Sequence, residues 1–289
     1  MSGLFASLIA CAKVKLSPLF SDNMVLQQEA EVPVWGKASP EMRVIVIPSW
    51  SGEKYENIAD RTGNWKVNIK TPKAGGPYHL EIIDGEKVRL ENVMIGEVWL
   101  CSGQSNMEMP VAGWGKVMNY EQEVADADYP SIRLLQVKKT VAFSPQDNVE
   151  MNMNGWQECS SATVPEFSSV AYFYARKLWK ELNVPVGVID CTWGGTPAES
   201  WTSHQTLKQV MGFQKKMAEM ESAGFQREKL VELYHQEMDE WLQQFDARDA
   251  GFKDGVPQWI SALQTGNGWK PMELPAYWET RGLNFDGTV

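Results

Sequence analysis

Gly96-Glu97-Val98-Trp99-Leu100-Cys101-Ser102-Gly103-Gln104-Ser105-Asn106-Met107-Glu108 is the stretch on which the reading of this chain turns. Residues 98–101 form an apolar run bounded by turn formers, which reads as a buried strand. Residues 102–106 are all small or polar. A hydrophobic strand that empties into such a turn is where open α/β sheets build their ligand sites. A serine there is held with its hydroxyl out of the core, and backbone N–H groups, its own included, face a developing oxyanion. Ser105 is therefore the candidate nucleophile. On spacing alone the block also serves as a plain loop, and Gly103-Gln104-Ser105-Asn106-Met107 lacks the second glycine of the Gly-x-Ser-x-Gly elbow.

Further along, the same grammar repeats. Residues 168–183 have helical spacing, with Val170, Tyr174, Leu178 and Leu182 on one face and Ala171 and Phe173 beside it. Ser168 or Ser169 caps the start, and Pro185 prevents continuation. Val186-Gly187-Val188-Ile189-Asp190-Cys191 then reads as a second apolar strand, and Ile132-Arg133-Leu134-Leu135-Gln136-Val137 as another. Strand, helix, strand in this order implies an α/β domain with a parallel sheet. The second strand ends in Thr192-Trp193-Gly194-Gly195-Thr196-Pro197-Ala198-Glu199-Ser200-Trp201, whose glycines allow close backbone approach or simply a tight turn. Two turns that follow two strands of one sheet lie at one sheet edge, so a nucleophile on one and an oxyanion donor on the other form a workable pair.

Before this domain, residues 13–92 show short alternating runs separated by Gly, Asn, Asp, Ser and Pro, the pattern of a small antiparallel β-sandwich. Lys66-Val67-Asn68-Ile69-Lys70 predicts one buried and one wet face. The α/β domain is expected over 93–268, with two helices between about residues 203 and 247 that break at Gly224. In the second, Leu230, Leu233, Tyr234, Met238, Trp241, Leu242 and Phe245 form an apolar stripe. Residues 269–289 read as a linker or the start of a further β domain, so the chain is expected to be truncated. Residues 1–12, ending Ala10-Cys11-Ala12, resemble the tail of a signal peptide, which favours a secreted or periplasmic protein. No segment approaches a membrane span.

A net charge of −10 argues against nucleic acid as a partner. Cys101, Cys159 and Cys191 lack metal-ligand spacing and read as buried thiols, so no metal and no cofactor are expected. Thirteen tryptophans are many for 289 residues, and some can stack on sugar rings.

Residues 103–108 resemble the nucleophile block of the sialate O-acetylesterase family, a branch of the SGNH hydrolases. Leu19-Phe20-Ser21-Asp22-Asn23-Met24-Val25-Leu26-Gln27-Gln28, the Val34-Trp35-Gly36 turn and residues 193–201 resemble it too, so the likeness spans residues 13 to about 201. The resemblance implies a flavodoxin-like SGNH domain that removes O-acetyl groups from sialic acids or other acylated sugars. It implies Ser105 as nucleophile, the N–H groups of Ser105 and of Gly195 or Gly194 as oxyanion donors, and Gln104, Asn106 and Glu199 as substrate contacts. Glu199 serves first to orient its turn. The family draws its base from a late Asp-x-x-His block, and a further oxyanion donor from a Gly-Glu-Ser-Asn-like block. Neither motif occurs here, and the base is expected beyond residue 289. His79, His204 and the Glu232-x-x-His235 pair have ordinary structural readings. Sialate as substrate would call for a nearby Arg or Lys, an acetylated polysaccharide such as xylan for aromatic walls. A non-catalytic sugar-binding fragment stands beside both as an alternative.

Overall fold

The computed structural model describes residues 14–142, 144–248, 252–253, 256–257 and 272–282. Its strands and helices follow in chain order. They begin with β1 (Lys15–Leu16), β2 (Val25–Gln27), β3 (Glu31–Lys37), β4 (Arg43–Pro48), β5 (Tyr55–Ile58), β6 (Asn64–Lys70), β7 (Gly75–Ile83) and β8 (Lys87–Gly103). The helices α1 (Ser105–Glu108) and α2 (Tyr120–Ala125) come next, then β9 (Asp128–Gln136), β10 (Gln157–Ser160), α3 (Ser169–Leu182) and β11 (Val186–Thr192). Helices α4 (His204–Leu207), α5 (Gln214–Ser222) and α6 (Arg227–Arg248) follow. Two compact units divide the chain between Glu219 and Met220.

Alternation builds the N-terminal layers. In β6, Trp65, Val67 and Ile69 are buried while Lys66, Asn68 and Lys70 are exposed, the pattern of a sheet with one wet face. Strands β1, β3 and β6 form one antiparallel sheet. Its Val34, Val67 and Ile69 share a core with Val44, Val46, Leu80 and Ile82 of the facing sheet.

That facing sheet does not stop with the sandwich. The near half of β8 pairs antiparallel with β7, from Lys87 opposite Ile83 to Ile95 opposite Gly75. Its far half pairs in parallel with β11, from Glu97 beside Val186 to Gly103 beside Thr192. Strand β9 continues the parallel sheet beyond β11, and β10 closes it antiparallel. Position 92–93, where the sequence changes grammar, lies inside this one strand. On one face of the parallel sheet Cys101, Ile132, Leu134, Val186 and Val188 pack with Ala171, Tyr172 and Ala175 of α3. The architecture is α/β, with a parallel sheet and a covering helix joined to an antiparallel sandwich.

Two sequence expectations need correction. Helix α3 has the expected bounds, and the Ser168 hydroxyl accepts the Ala171 N–H at 3.2 Å. Its buried residues, however, are Ser169, Ala171, Tyr172 and Ala175, while Val170, Tyr174 and Leu182 are exposed. The sheet is met by Ala171 and Ala175, which let the helix lie close, together with the fully buried Tyr172. Residues 98–101 form a strand, but Leu100 is 66% and Trp99 41% exposed. Among the described residues nothing pairs with this half of β8 on the side away from β11, so it runs along a sheet margin. Trp99 is met edge-on by Tyr174, with ring centroids 5.1 Å apart.

In the second unit, Gly224 and Phe225 take positive φ and α6 begins at Arg227. Of its expected apolar stripe, Tyr234, Trp241 and Leu242 are exposed, and Phe245 lies outside the described side chains. The leader-like residues 1–12 and most of 249–289 lie outside the described residues. No helix among the described residues is long and apolar enough to cross a membrane.

Candidate active site

Parallel pairing of β8 with β11 sets Thr192 beside Gly103, and the Trp193 N–H donates to the Gly103 carbonyl at 2.9 Å. The serine turn and the glycine turn therefore leave adjacent strands at one level. Ser105 opens the single-turn α1. Gly194 has no room for a side chain: a Cβ there would stand 3.0 Å from Ser105 Oγ and 2.8 Å from Glu108 Oε2. Gly195 needs its residue type for another reason, a φ of +78°, with open space around it. The Thr196 hydroxyl donates to the Trp193 carbonyl at 2.7 Å and accepts from Trp201 Nε1 at 2.8 Å, which braces the turn.

The expected oxyanion donors differ in what they hold. The Ser105 N–H donates to its neighbour's side chain, Gln104 Oε1, at 3.0 Å. The Gly194 N–H donates to Glu108 Oε2, and the other Glu108 oxygen accepts from Lys139 Nζ. The Gly195 N–H has no hydrogen-bond partner among the described residues. Asn106 is exposed, and Glu199 is half-buried in a 3-10 turn over Ala198–Trp201.

Two carboxylates here are shifted in opposite directions. Burial raises the Glu108 value, but the Lys139 hydrogen bond and charge and the Gly194 N–H outweigh it, so the group is held below the ordinary glutamate value. Asp190 on β11 is 1% exposed, and burial pushes its carboxyl up despite hydrogen bonds from Thr192 Oγ1 at 2.7 Å and Gln136 Nε2 at 3.0 Å. Burial also pushes the Cys101 thiol up to about 11 and that of Cys159 to about 12, which leaves the thiols protonated and unsuited to attack. All three described cysteines are free. Among the described residues no group of three or more His, Cys, Asp or Glu could hold a metal.

A cavity of about 220 Å³ adjoins the serine turn, with Glu108 and Thr192 on its wall beside Gln136, Lys139, Glu166 and Trp114. Sequence reasoning passed over Glu108, Lys139, Gln136 and Asp190 as site residues. Asp190 had a readable signal, a carboxylate inside an apolar run, and Glu108 lies one helical turn from Ser105. The candidate histidines lie elsewhere: His79 in β7, His204 at the start of α4 and His235 in α6. The Ser105 hydroxyl has no hydrogen-bond partner among the described residues.

Residues 95–274 match the family model described as carbohydrate esterase, sialic acid-specific acetylesterase. The chain is 32% identical over 222 residues to the sialate O-acetylesterases of Pongo abelii and Homo sapiens, the match covering 71% of this chain and 42% of each relative. A carbohydrate acetylesterase from Xanthomonas citri is similar in structure, with a TM-score of 0.63 and 35% identity, over 68% of this chain and 44% of that one. The chain thus spans less than half the length of the relatives it matches.

Proposed function

This chain belongs to the carbohydrate esterase family of sialic acid-specific acetylesterases, and on that premise we propose that it removes O-acetyl groups from a sugar through an acyl-enzyme on Ser105. The observation that supports the reading is the closeness of the two turns, which leave adjacent strands so that a Cβ on Gly194 would stand 3.0 Å from Ser105 Oγ. Ser105 Oγ attacks the acetyl carbonyl and its proton passes to a general base, without which a serine hydroxyl is a weak nucleophile. The carbonyl oxygen becomes an oxyanion, and each backbone N–H that meets it contributes roughly 3–4 kcal/mol. The tetrahedral intermediate collapses, the sugar oxygen leaves with a proton, and water then releases acetate from the serine.

Glu108 and Gln104 hold two of the candidate donors in place and fill them with oxygen ligands. Gly195 N–H is the donor that meets a substrate oxygen without first losing a partner. Sialic acid is the sugar that the family description and the curated relatives name; an uncharged acetylated sugar is the other candidate.

The test is hydrolysis of p-nitrophenyl acetate by this chain and by Ser105→Ala. The variant is expected to lose on the order of 10³-fold or more in rate while its circular dichroism and unfolding midpoint stay unchanged. Equal rates, both well above the uncatalysed background, in the two proteins would sink the serine mechanism.

A further inference from the structure

We propose that Glu108 is a positioning residue of this site: its carboxylate clamps the Gly194 N–H and so holds the glycine turn against Ser105, which removes Gly194 from the oxyanion donors. The proposal rests on the esterase reading above and deepens it. The clamp has a fixed end and a loose end. At the fixed end, α1 places Glu108 one turn after Ser105. The Met107 and Glu108 N–H groups both donate to the Gln104 carbonyl at 2.9 Å. From the start of α3 the Ser168 hydroxyl donates to the Met107 carbonyl at 2.5 Å, and the Ser169 hydroxyl to the Met109 carbonyl at 2.8 Å. The glutamate thus projects from a backbone that is held on both sides of it.

At the loose end, Gly194 and Gly195 follow one another, and glycines have the most backbone freedom to lose. Among the described residues, the turn's other hydrogen bonds close on itself, through Thr196 and Trp201, or on the strand end, from the Trp193 N–H to the Gly103 carbonyl. The bond from the Gly194 N–H to Glu108 Oε2 joins the turn to α1. Gly194 does not take a positive φ, so space and not backbone angle requires a glycine there. The first two atoms its Cβ would strike are Glu108 Oε2 at 2.8 Å and Ser105 Oγ at 3.0 Å, the clamp and the nucleophile. A bond to a carboxylate is stronger than one to a neutral acceptor, yet a bare carboxylate beside the serine would oppose the negative charge that develops in the transition state. Lys139 offsets this, because its ammonium pairs with the second Glu108 oxygen. With the Gly194 N–H engaged, the oxyanion falls to the neighbouring Gly195 N–H, which the clamp sets in place.

The experiment compares the full chain with Glu108→Ala and Glu108→Gln in two readouts. The first is amide hydrogen exchange at Gly194, followed by NMR in protein with tryptophan labelled at the carbonyl carbon and glycine labelled at nitrogen. That labelling selects the three Trp-Gly pairs, whose glycines are Gly36, Gly115 and Gly194, and Trp35→Phe and Trp114→Phe identify the other two signals. Gly194 is expected to exchange about tenfold or more faster in Glu108→Ala, while Gly36 keeps its rate. In Glu108→Gln, whose amide oxygen still accepts the N–H, Gly194 is expected to stay near the parent rate. The second readout is p-nitrophenyl acetate hydrolysis. Here kcat is expected to fall about tenfold or more in Glu108→Ala with KM within about twofold of the parent, and Glu108→Gln to recover much of the loss. A merely structural glutamate would lower the unfolding midpoint and leave the kcat of the folded protein alone. Parent-like exchange at Gly194 in Glu108→Ala overturns the proposal, as does a parent-like kcat in that variant while Ser105→Ala is inactive. If Ser105→Ala matches the parent, the esterase reading has failed, and exchange at Gly194 by itself decides the clamp.

Discussion

Arg133 and Lys139 belong to neighbouring stretches of one chain and use their charge in opposite ways. Arg133 is 3% exposed and is met on every side: Nε donates to the Pro130 carbonyl at 2.7 Å, Nη1 to the Asn23 carbonyl at 3.2 Å, and Nη2 to Asn92 Oδ1 at 3.3 Å and Glu158 at 3.2 Å. It ties the loop before β2 and the middle of β8 to the parallel sheet. Lys139 is 41% exposed and meets a single carboxylate at the rim of a cavity. A buried charge with every nitrogen engaged is cement. One with an open side remains accessible to a ligand, and what already holds it decides which ligand that is.

The contrast breaks if the two cations contribute equally to folding. Arg133→Met is expected to cost about 3–5 kcal/mol in urea unfolding, since it leaves the Pro130 and Asn23 carbonyls and Asn92 Oδ1 without their donor, at about 1–3 kcal/mol for each such group. Lys139→Met is expected to stay within about 1 kcal/mol of the parent. Between these lies the polar floor of the site. Thr192→Val removes the hydroxyl that donates to Asp190 at 2.7 Å, and an expected loss of about 1–3 kcal/mol is checked by the same denaturation. The smallest effects are in pH. Glu108 is held below its ordinary value of 4.5 in the folded state. The parent's advantage over Glu108→Gln is therefore full above that value and fades as the pH falls through the lowered one. Asp190 is raised above its ordinary 3.8, so the parent loses ground to Asp190→Asn as the pH climbs from there through the raised value. Unfolding series from about pH 3 to 7 should show slopes of opposite sign for the two variants, and slopes of like sign would dissolve the distinction.

Where chemistry sits in contiguous sequence it was legible. The two strand-to-turn stretches were readable because each carries its own apolar run and its own small residues, and Ser105 and Gly194 do come together. The strands of the sandwich followed from alternation, as at residues 66–70. The face of α3 was not readable, because Ala171 and Ala175 give a weak apolar signal and yet decide which side lies close to the sheet. Strand β8 was read only in its far half, because Glu91 and Asn92, the latter at φ +54°, interrupt the apolar pattern. Lys139, Gln136 and Glu166 reach the cavity from segments distant in sequence, and no local pattern announces a neighbour supplied by strand pairing.

The long strand β8 also imposes a schedule. Its near half closes on β7 across Asp84-Gly85-Glu86, a hairpin that forms from adjacent chain within microseconds. Its far half waits for β11, which is synthesised much later. During synthesis residues 98–103, with Trp99 and Leu100 among them, therefore wait unpaired beyond the β7–β8 hairpin. That interval is when the nascent chain has most to gain from a chaperone and most to lose from a neighbouring copy of itself.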